Sequence, residues 1–193
     1  KCFIGFIDNL SKLNGEIQRF SIENMFLSQD SWNYFINSLD TCKSWSTLEY
    51  LELNGLDLKN ISKEQIKTSL LILLRRLRFI QQFSVSNWIS PLPNNIGSIT
   101  NTSVLTQLIL QGQDFTEPFP EKSRMPISVI YFDLSHSKFT AASLQSFFKL
   151  VPFTPKKPIS LNFADIEMTS YDFQIFYNNL ASFQELNIKG LDW

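Results

Sequence analysis

Leu48-Glu49-Tyr50-Leu51-Glu52-Leu53, followed by Gly55 and then by Leu58, is the stretch that decides how this chain folds. It reads apolar, two spacers, apolar, one spacer, apolar, and a last apolar residue five positions on. The same pattern starts at Ile17, Leu48, Ile80, Leu105, Val129, Pro158 and Phe183, at steps of 24 to 32 residues. Its second apolar position therefore falls at Phe20, Leu51, Phe83, Leu108, Phe132, Leu161 and Leu186. Within each copy the alternation is that of a half-buried strand. Strands are expected near 17–23, 48–54, 80–86, 105–111, 129–135, 158–164 and 183–189. A unit recurring at this period cannot bury its own apolar face, whereas a stack of such units can, so residues 1–193 are expected to form a single array.

Two positions after the third apolar residue, the seven copies carry Asn24, Gly55, Asn87, Gly112, His136, Asp165 and Gly190. These residue types tolerate turn conformations with unusual backbone angles. They agree in register although they play no part in defining the copies. After the turn, four copies enter a helix. Ser62-Lys-Glu-Gln65 has the form of a capping box and leads into the stripe Ile66, Leu70, Leu73, Leu74 and Leu77. Ser28 opens a helix with Trp32, Phe35, Ile36 and Leu39, Thr140 one with Leu144, Phe147, Phe148 and Val151, and Thr169 one with Phe173, Phe176, Tyr177 and Leu180. The third and fourth copies differ, because the prolines in Ser90–Gly97 and Thr116–Glu121 oppose a helix interior and predict short irregular returns.

The expected fold is therefore α/β: a leucine-rich-repeat solenoid, with a curved parallel sheet on its concave face and helices and short irregular segments on its convex face. Strands about 4.8 Å apart, backed by helices about 10 Å wide, must bend into an arc. Phe3, Ile4, Phe6, Ile7 and Leu10 read as the helix of a preceding repeat, and Trp193 takes the last apolar position of the seventh copy. The chain is thus expected to be a window on a longer array, of about seven repeats.

With their long helices, the copies resemble the ribonuclease-inhibitor-like class of leucine-rich repeats. Val129-Ile-Tyr-Phe132-Asp-Leu134-Ser-His-Ser-Lys-Phe139-Thr and Ile159-Ser-Leu161-Asn-Phe163-Ala-Asp-Ile-Glu-Met168-Thr, each followed by a helix with aromatic anchors, resemble the CARMIL family of cytoskeletal scaffolds. That resemblance implies an interaction and dimerisation platform working near actin. One column departs from the usual repeat, which carries an asparagine or cysteine whose side chain bonds neighbouring turns in a ladder. Here the column reads Met25, Leu56, Trp88, Gln113, Ser137, Ile166 and Leu191. Without that ladder, the turn backbone has to be satisfied by water or by its neighbours.

The 193 residues are 44% apolar and 18% charged, with a net charge of −1. So small a net charge generates no long-range field toward phosphate backbones, and nucleic acid is not an expected partner. The longest apolar run, Leu70–Leu74, is far below the roughly 20 residues of a bilayer span, so membrane insertion is not expected. No phosphate loop, paired-histidine metal helix, close cysteine pair or nucleophile elbow occurs, and the expectation is a non-enzymatic protein without metal or cofactor. His136 falls in the turn column, and Cys2 and Cys42 read as free thiols of a reducing compartment. Arg75, Arg76 and Arg78 end the second helix, where cations suit the carbonyl end of the dipole, or alternatively face an acidic partner. Pro152-Phe-Thr-Pro155-Lys-Lys has the spacing of a polyproline ligand but also sits where a return loop is needed.

The outward strand positions supply the candidate protein-binding residues. The first column contributes Arg19, Tyr50, Gln82, Gln107, Tyr131 and Glu185, and the second Glu52, Ile109, Asp133 and Asn162. Tyr50, Tyr131 and Ile109 are the candidate anchors, because aromatic and apolar groups on a rigid face carry binding energy disproportionately. A face of about 500 Å², from strand spacing and rise, is small beside the roughly 800 Å² that one partner buries in a standard interface. The leading expectation is a scaffold that binds other proteins, cytoplasmic and cytoskeletal, with homodimers or larger assemblies allowed. Two others stand beside it: a structural component of a flagellar or microtubule lattice, and a regulatory or sensor array attached to another domain.

Overall fold

The computed structural model describes residues 2–13, 15–88, 104–120, 128–150, 159–167, 169–180 and 186–189. Its elements alternate. Helix α1 (Cys2–Ser11) is followed by β1 (Arg19–Glu23), α2 (Gln29–Thr41), a 3-10 helix (Lys43–Thr47) and β2 (Tyr50–Asn54). Then come α3 (Lys63–Arg76), β3 (Gln82–Ser86), β4 (Gln107–Ile109), β5 (Asp114–Phe115), β6 (Tyr131–Asp133) and β7 (Lys138–Phe139). Helix α4 (Ala141–Leu150), β8 (Ile159–Asn162), α5 (Ser170–Leu180) and β9 (Leu186–Lys189) complete the order. The fold is α/β, with a seven-stranded sheet in the order β1-β2-β3-β4-β6-β8-β9 and every pairing parallel. Sheet order follows chain order, so each strand pairs with the strands of the copies before and after it.

Register follows the sequence pattern through six copies: Phe20 pairs with Leu51, Leu51 with Phe83, Phe83 with Leu108, Leu108 with Phe132, and Phe132 with Leu161. At the seventh, Leu161 lies opposite Ile188 instead of Leu186. The offset is two residues.

Four helix starts follow their capping residues. The amides of Ser31 and Gln65 donate to the hydroxyls of Ser28 and Ser62, each at 3.3 Å. Thr140 and Ser143 satisfy each other reciprocally, as do Thr169 and Asp172. The second half of the Ser62 capping box is not made. Gln65 instead donates across to Asn33 of α2 at 3.3 Å and so ties two helices together. Trp32, Phe35, Ile36, Leu39, Ile66, Leu70, Leu73, Leu74, Leu77, Leu144, Phe147 and Phe148 are buried as their spacing requires. Tyr177 is 56% exposed, because it follows the buried Phe176 by one residue, about 100° around the helix. Thr116–Pro120 is irregular, as its prolines demand, whereas Ser90–Gly97, Val151 and Pro152–Lys157 lie outside the described residues.

Between sheet and helices, aromatic rings pack in edge-to-face, tilted and stacked pairs. Phe20 meets Trp45 at 4.8 Å and 80°, and Phe163 meets Phe176 at 5.0 Å and 81°. Such pairs add about 0.5–1.5 kcal/mol beyond the area they bury. Leucines and Phe83 fill the space between these two aromatic clusters.

The turn column is the most regular feature of the backbone. Asn24, Gly55, Asn87, Gly112, His136 and Asp165 all have positive φ, between 51° and 63°; Gly190 lies outside the described residues. The first five of these turns each pass a backbone bond to the next copy. Asn24 N–H donates to Asn54 O, Gly55 to Ser86, Asn87 to Gln111, Gly112 to Ser135 and His136 to Ala164, at 2.7–2.9 Å. Neighbouring backbone, not water, therefore satisfies the donors at these turns. Past the turn, β5 pairs with β7, and Phe26 with Asp57 and Lys138 with Glu167 form single bridges, extending the contact between copies.

A Cβ added to Gly55 would run into the Asn24 amide oxygen, and one added to Gly112 into that of Asn87. Because an alanine in this conformation also costs about 1–2 kcal/mol, Gly55→Ala and Gly112→Ala are each expected to lower unfolding free energy by at least that amount. His136→Gly should raise it by up to about 1 kcal/mol. Urea titrations of the three variants check this.

Candidate functional site

Strand alternation sends the second and fourth residues of the first three strands, Phe20, Ile22, Leu51, Leu53, Phe83 and Val85, into the core and the others to the open face of the sheet. Along the open face runs a chain of side-chain hydrogen bonds. Asn54 Oδ1 accepts from Ser84 Oγ at 3.1 Å, Ser84 meets Ser86 at 3.3 Å, and Ser86 donates to Gln111 Oε1 at 3.5 Å. Gln111 Nε2 then donates to Asp133 Oδ2 at 3.0 Å, and Asn162 Nδ2 does so from the other side at 3.0 Å. Five adjacent strands or their ends are linked in this way. At its first edge, Arg19 pairs with Glu52 at 2.6 Å and lies 5.9 Å from the centre of the Tyr50 ring, and Gln82 reaches the same carboxylate at 3.4 Å. Glu52 raises the pKa of the exposed Arg19 guanidinium further above its ordinary value, first by its hydrogen bond and then by its charge.

Asp133 is the hub. It is only 5% exposed, and its carboxylate accepts from Gln111, Asn162 and Tyr131 Oη on Oδ2, and from Ser135 N–H (3.0 Å) and Oγ (2.7 Å) on Oδ1. Burial pushes its pKa up, but the hydrogen bonds from Ser135, Asn162 and Gln111 together outweigh burial and hold it below the ordinary carboxylate value. Tyr131 moves the other way: desolvation first, and then the Asp133 charge, raise its hydroxyl above the usual range.

The ten candidate residues thus separate by role. Gln107 is exposed and Ile109 half-buried, and both stand on the open face without a side-chain hydrogen bond in the network. Tyr50, Glu52 and Gln82 are half-buried around the exposed Arg19. Tyr131 and Asn162 are half-buried partners of Asp133, which itself belongs to the interior of the face. Glu185 lies outside the described residues. The sequence columns stopped one position short, because Asn54, Ser86, Gln111 and Ser135 also point outward and carry much of the network. One more step of the strand alternation would have found them.

A second polar line lies behind the turns. Trp88 Nε1 donates to Leu53 O at 2.5 Å, Gln113 Nε2 to Val85 O at 3.3 Å, and Ser137 Oγ to Leu110 O at 3.1 Å. Each acceptor is the third apolar residue of the preceding copy. The expectation that this column forms no ladder between neighbouring copies is therefore corrected for three consecutive copies, where an indole, an amide and a hydroxyl each make a rung.

On the helical side, a cleft of about 370 Å³ is lined by Pro118, Phe119, Ala142, Gln145, Ser146, Lys149 and Leu150. Among the described residues no three His, Cys, Asp or Glu side chains are grouped to hold a metal, and no helix is long and apolar enough to cross a membrane. Cys2 is exposed, Cys42 is buried, and neither is disulfide-bonded. Compared with models of known protein families and with curated protein sequences, the chain matches none.

Removing the Asp133 carboxylate leaves several inward-aimed donors without an acceptor, and each such loss typically costs about 1–3 kcal/mol. Asp133→Ala is expected to destabilise by at least about 2 kcal/mol in denaturant unfolding. Since the folded pKa lies below the unfolded value of about 3.9, this group stabilises fully above that pH. Its contribution is lost as pH falls through the folded pKa. Asp133→Asn should flatten the acid limb of the stability curve, measured by thermal unfolding at pH steps from neutral downward.

Proposed function

We propose that the chain is a leucine-rich-repeat solenoid acting as a non-enzymatic scaffold that binds other proteins through the open, concave side of its sheet. The observation that carries this reading is the continuous, internally bonded row of side chains from Asn54 to Asn162 on a sheet whose strands are fixed in register. A surface held in this way loses little further side-chain entropy on binding, so contacts made to it are not offset by ordering costs. Around that row, Arg19, Tyr50, Gln107 and Ile109 are the groups left to meet a partner. Support for the solenoid comes from the repeated unit itself, in which one parallel strand, one left-handed turn and one return segment recur in register. The cytoplasmic, cytoskeletal setting rests on the likeness of the fifth and sixth copies to the CARMIL family.

The reading is tested by pull-down with wild type and with the double variant Tyr50→Ala/Gln107→Arg, which leaves the Asp133 hub intact. Loss of the wild-type partners at unchanged melting temperature is expected. Retention of all of them would remove the open face as the binding surface.

A further inference from the structure

Where the helices hand the chain back to the strands, cations accumulate. Lys12 follows α1, Lys43 follows α2, Arg75 lies in the last turn of α3, and Arg78 is just beyond it; all four are exposed. The first three stand at one repeat position, each seven residues ahead of a strand residue in the paired set Arg19, Tyr50 and Gln82.

Inter-repeat bonds hold these connections side by side. Ser44, next to Lys43, donates to the carbonyl of Leu13, next to Lys12, at 3.1 Å. Arg76, next to Arg75, forms an ion pair with Asp40 at the end of α2. Several cations elsewhere are neutralised locally, as in Lys59 with Asp57, Lys67 with Glu64 and Lys138 with Glu167, whereas Lys63 and Lys149 stand singly. Lys12, Lys43, Arg75 and Arg78 form no ion pair among the described residues. Beside them Phe79 is 58% exposed, a bare aromatic surface among charges.

We propose that this edge docks an acidic peptide segment of a partner protein, lying across the ends of α1, α2 and α3. Helix carbonyl ends favour cations, which explains one such residue per helix. They do not explain a further unpaired arginine, Arg78, just beyond α3, or an uncovered phenylalanine next to it. Packed helices stand about 10 Å apart, and three residues of extended chain span the same distance. A peptide with a carboxylate at every third residue would therefore meet Lys12, Lys43 and the Arg75/Arg78 pair in turn, with an apolar side chain on Phe79.

Glu16 and Glu49 lie on the same connections. They would repel a continuous sheet of lipid headgroups or a phosphate backbone, while a peptide can set uncharged residues opposite them. The surface is separate from the open face and does not depend on it.

The test is fluorescence anisotropy with a labelled twelve-residue peptide of repeated Glu-Gly-Leu at physiological salt. The same peptide with Lys for Glu, phosphatidylserine vesicles and duplex DNA serve as competitors. Saturable binding to the acidic peptide is expected, weakened at least ten-fold by Arg75→Glu/Arg78→Glu and several-fold by Phe79→Ser. Lys149→Glu, on α4, should leave it unchanged, and all variants should keep wild-type circular dichroism and melting temperature. No binding by wild type, indifference to the arginine reversal, or tighter binding of vesicles or DNA than of the peptide would each overturn the proposal.

Discussion

The bond from each left-handed turn to the copy that follows is the interaction on which this structure depends. At Asn24, Gly55, Asn87, Gly112, His136 and Asp165 the chain leaves its strand by adopting a positive φ. That rotation aims the N–H of the turn residue along the stack, and the first five of these N–H groups bond the carbonyl just ahead of the next turn. Strand pairing alone would allow the sheet to slide by two residues at little cost, because a two-residue slip preserves inside and outside. A bond at each of these five turns fixes the register from the first copy through the sixth. The departure occurs at β9, where the strand is offset by two residues relative to the sequence pattern.

Once the register is fixed, the two faces of the sheet differ in kind. The inner face is held by apolar contact and by packed aromatic rings, whose hydrophobic attraction is non-directional. The outer face is held by directed bonds. Asp133 shows how demanding that is: a carboxylate 5% exposed stays charged only because five donors converge on it from three copies. A buried charge with fewer partners would be a liability. With all of them present, the hub ties the fourth, fifth and sixth copies together from the side where no helix lies.

Much of this was legible in the sequence, because it depends on periodicity. The strands, their order, the turn column and the buried stripes of α2 and α3 follow from spacing and from which residues tolerate a left-handed backbone. What sequence reading missed depends on distances between copies. Nothing local indicates that Gln65 will bond Asn33 instead of closing its own cap, or that Trp88, Gln113 and Ser137 will make equivalent rungs with different chemistry. The sequence places Asp133 in an outward column, among the candidates to meet a partner, yet it is buried. Its burial comes from Tyr131, Gln111 and Asn162 closing over it, and only one of those shares its strand with it.

The turn residues do not stack as equals. Asn24 lies against Gly55 and Asn87 against Gly112, each amide occupying the space that a side chain on the following glycine would need, and His136 is 3.4 Å from Asp165. The copies therefore come in couples, one residue projecting and the next either yielding space or, as Asp165 does for His136, meeting it with a polar group. An array built from such couples has an evolutionary step of two. Duplicating or deleting a single copy would leave a projecting residue facing another projecting residue, or two bare glycines together, whereas gain or loss of a couple would leave each turn beside a suitable neighbour.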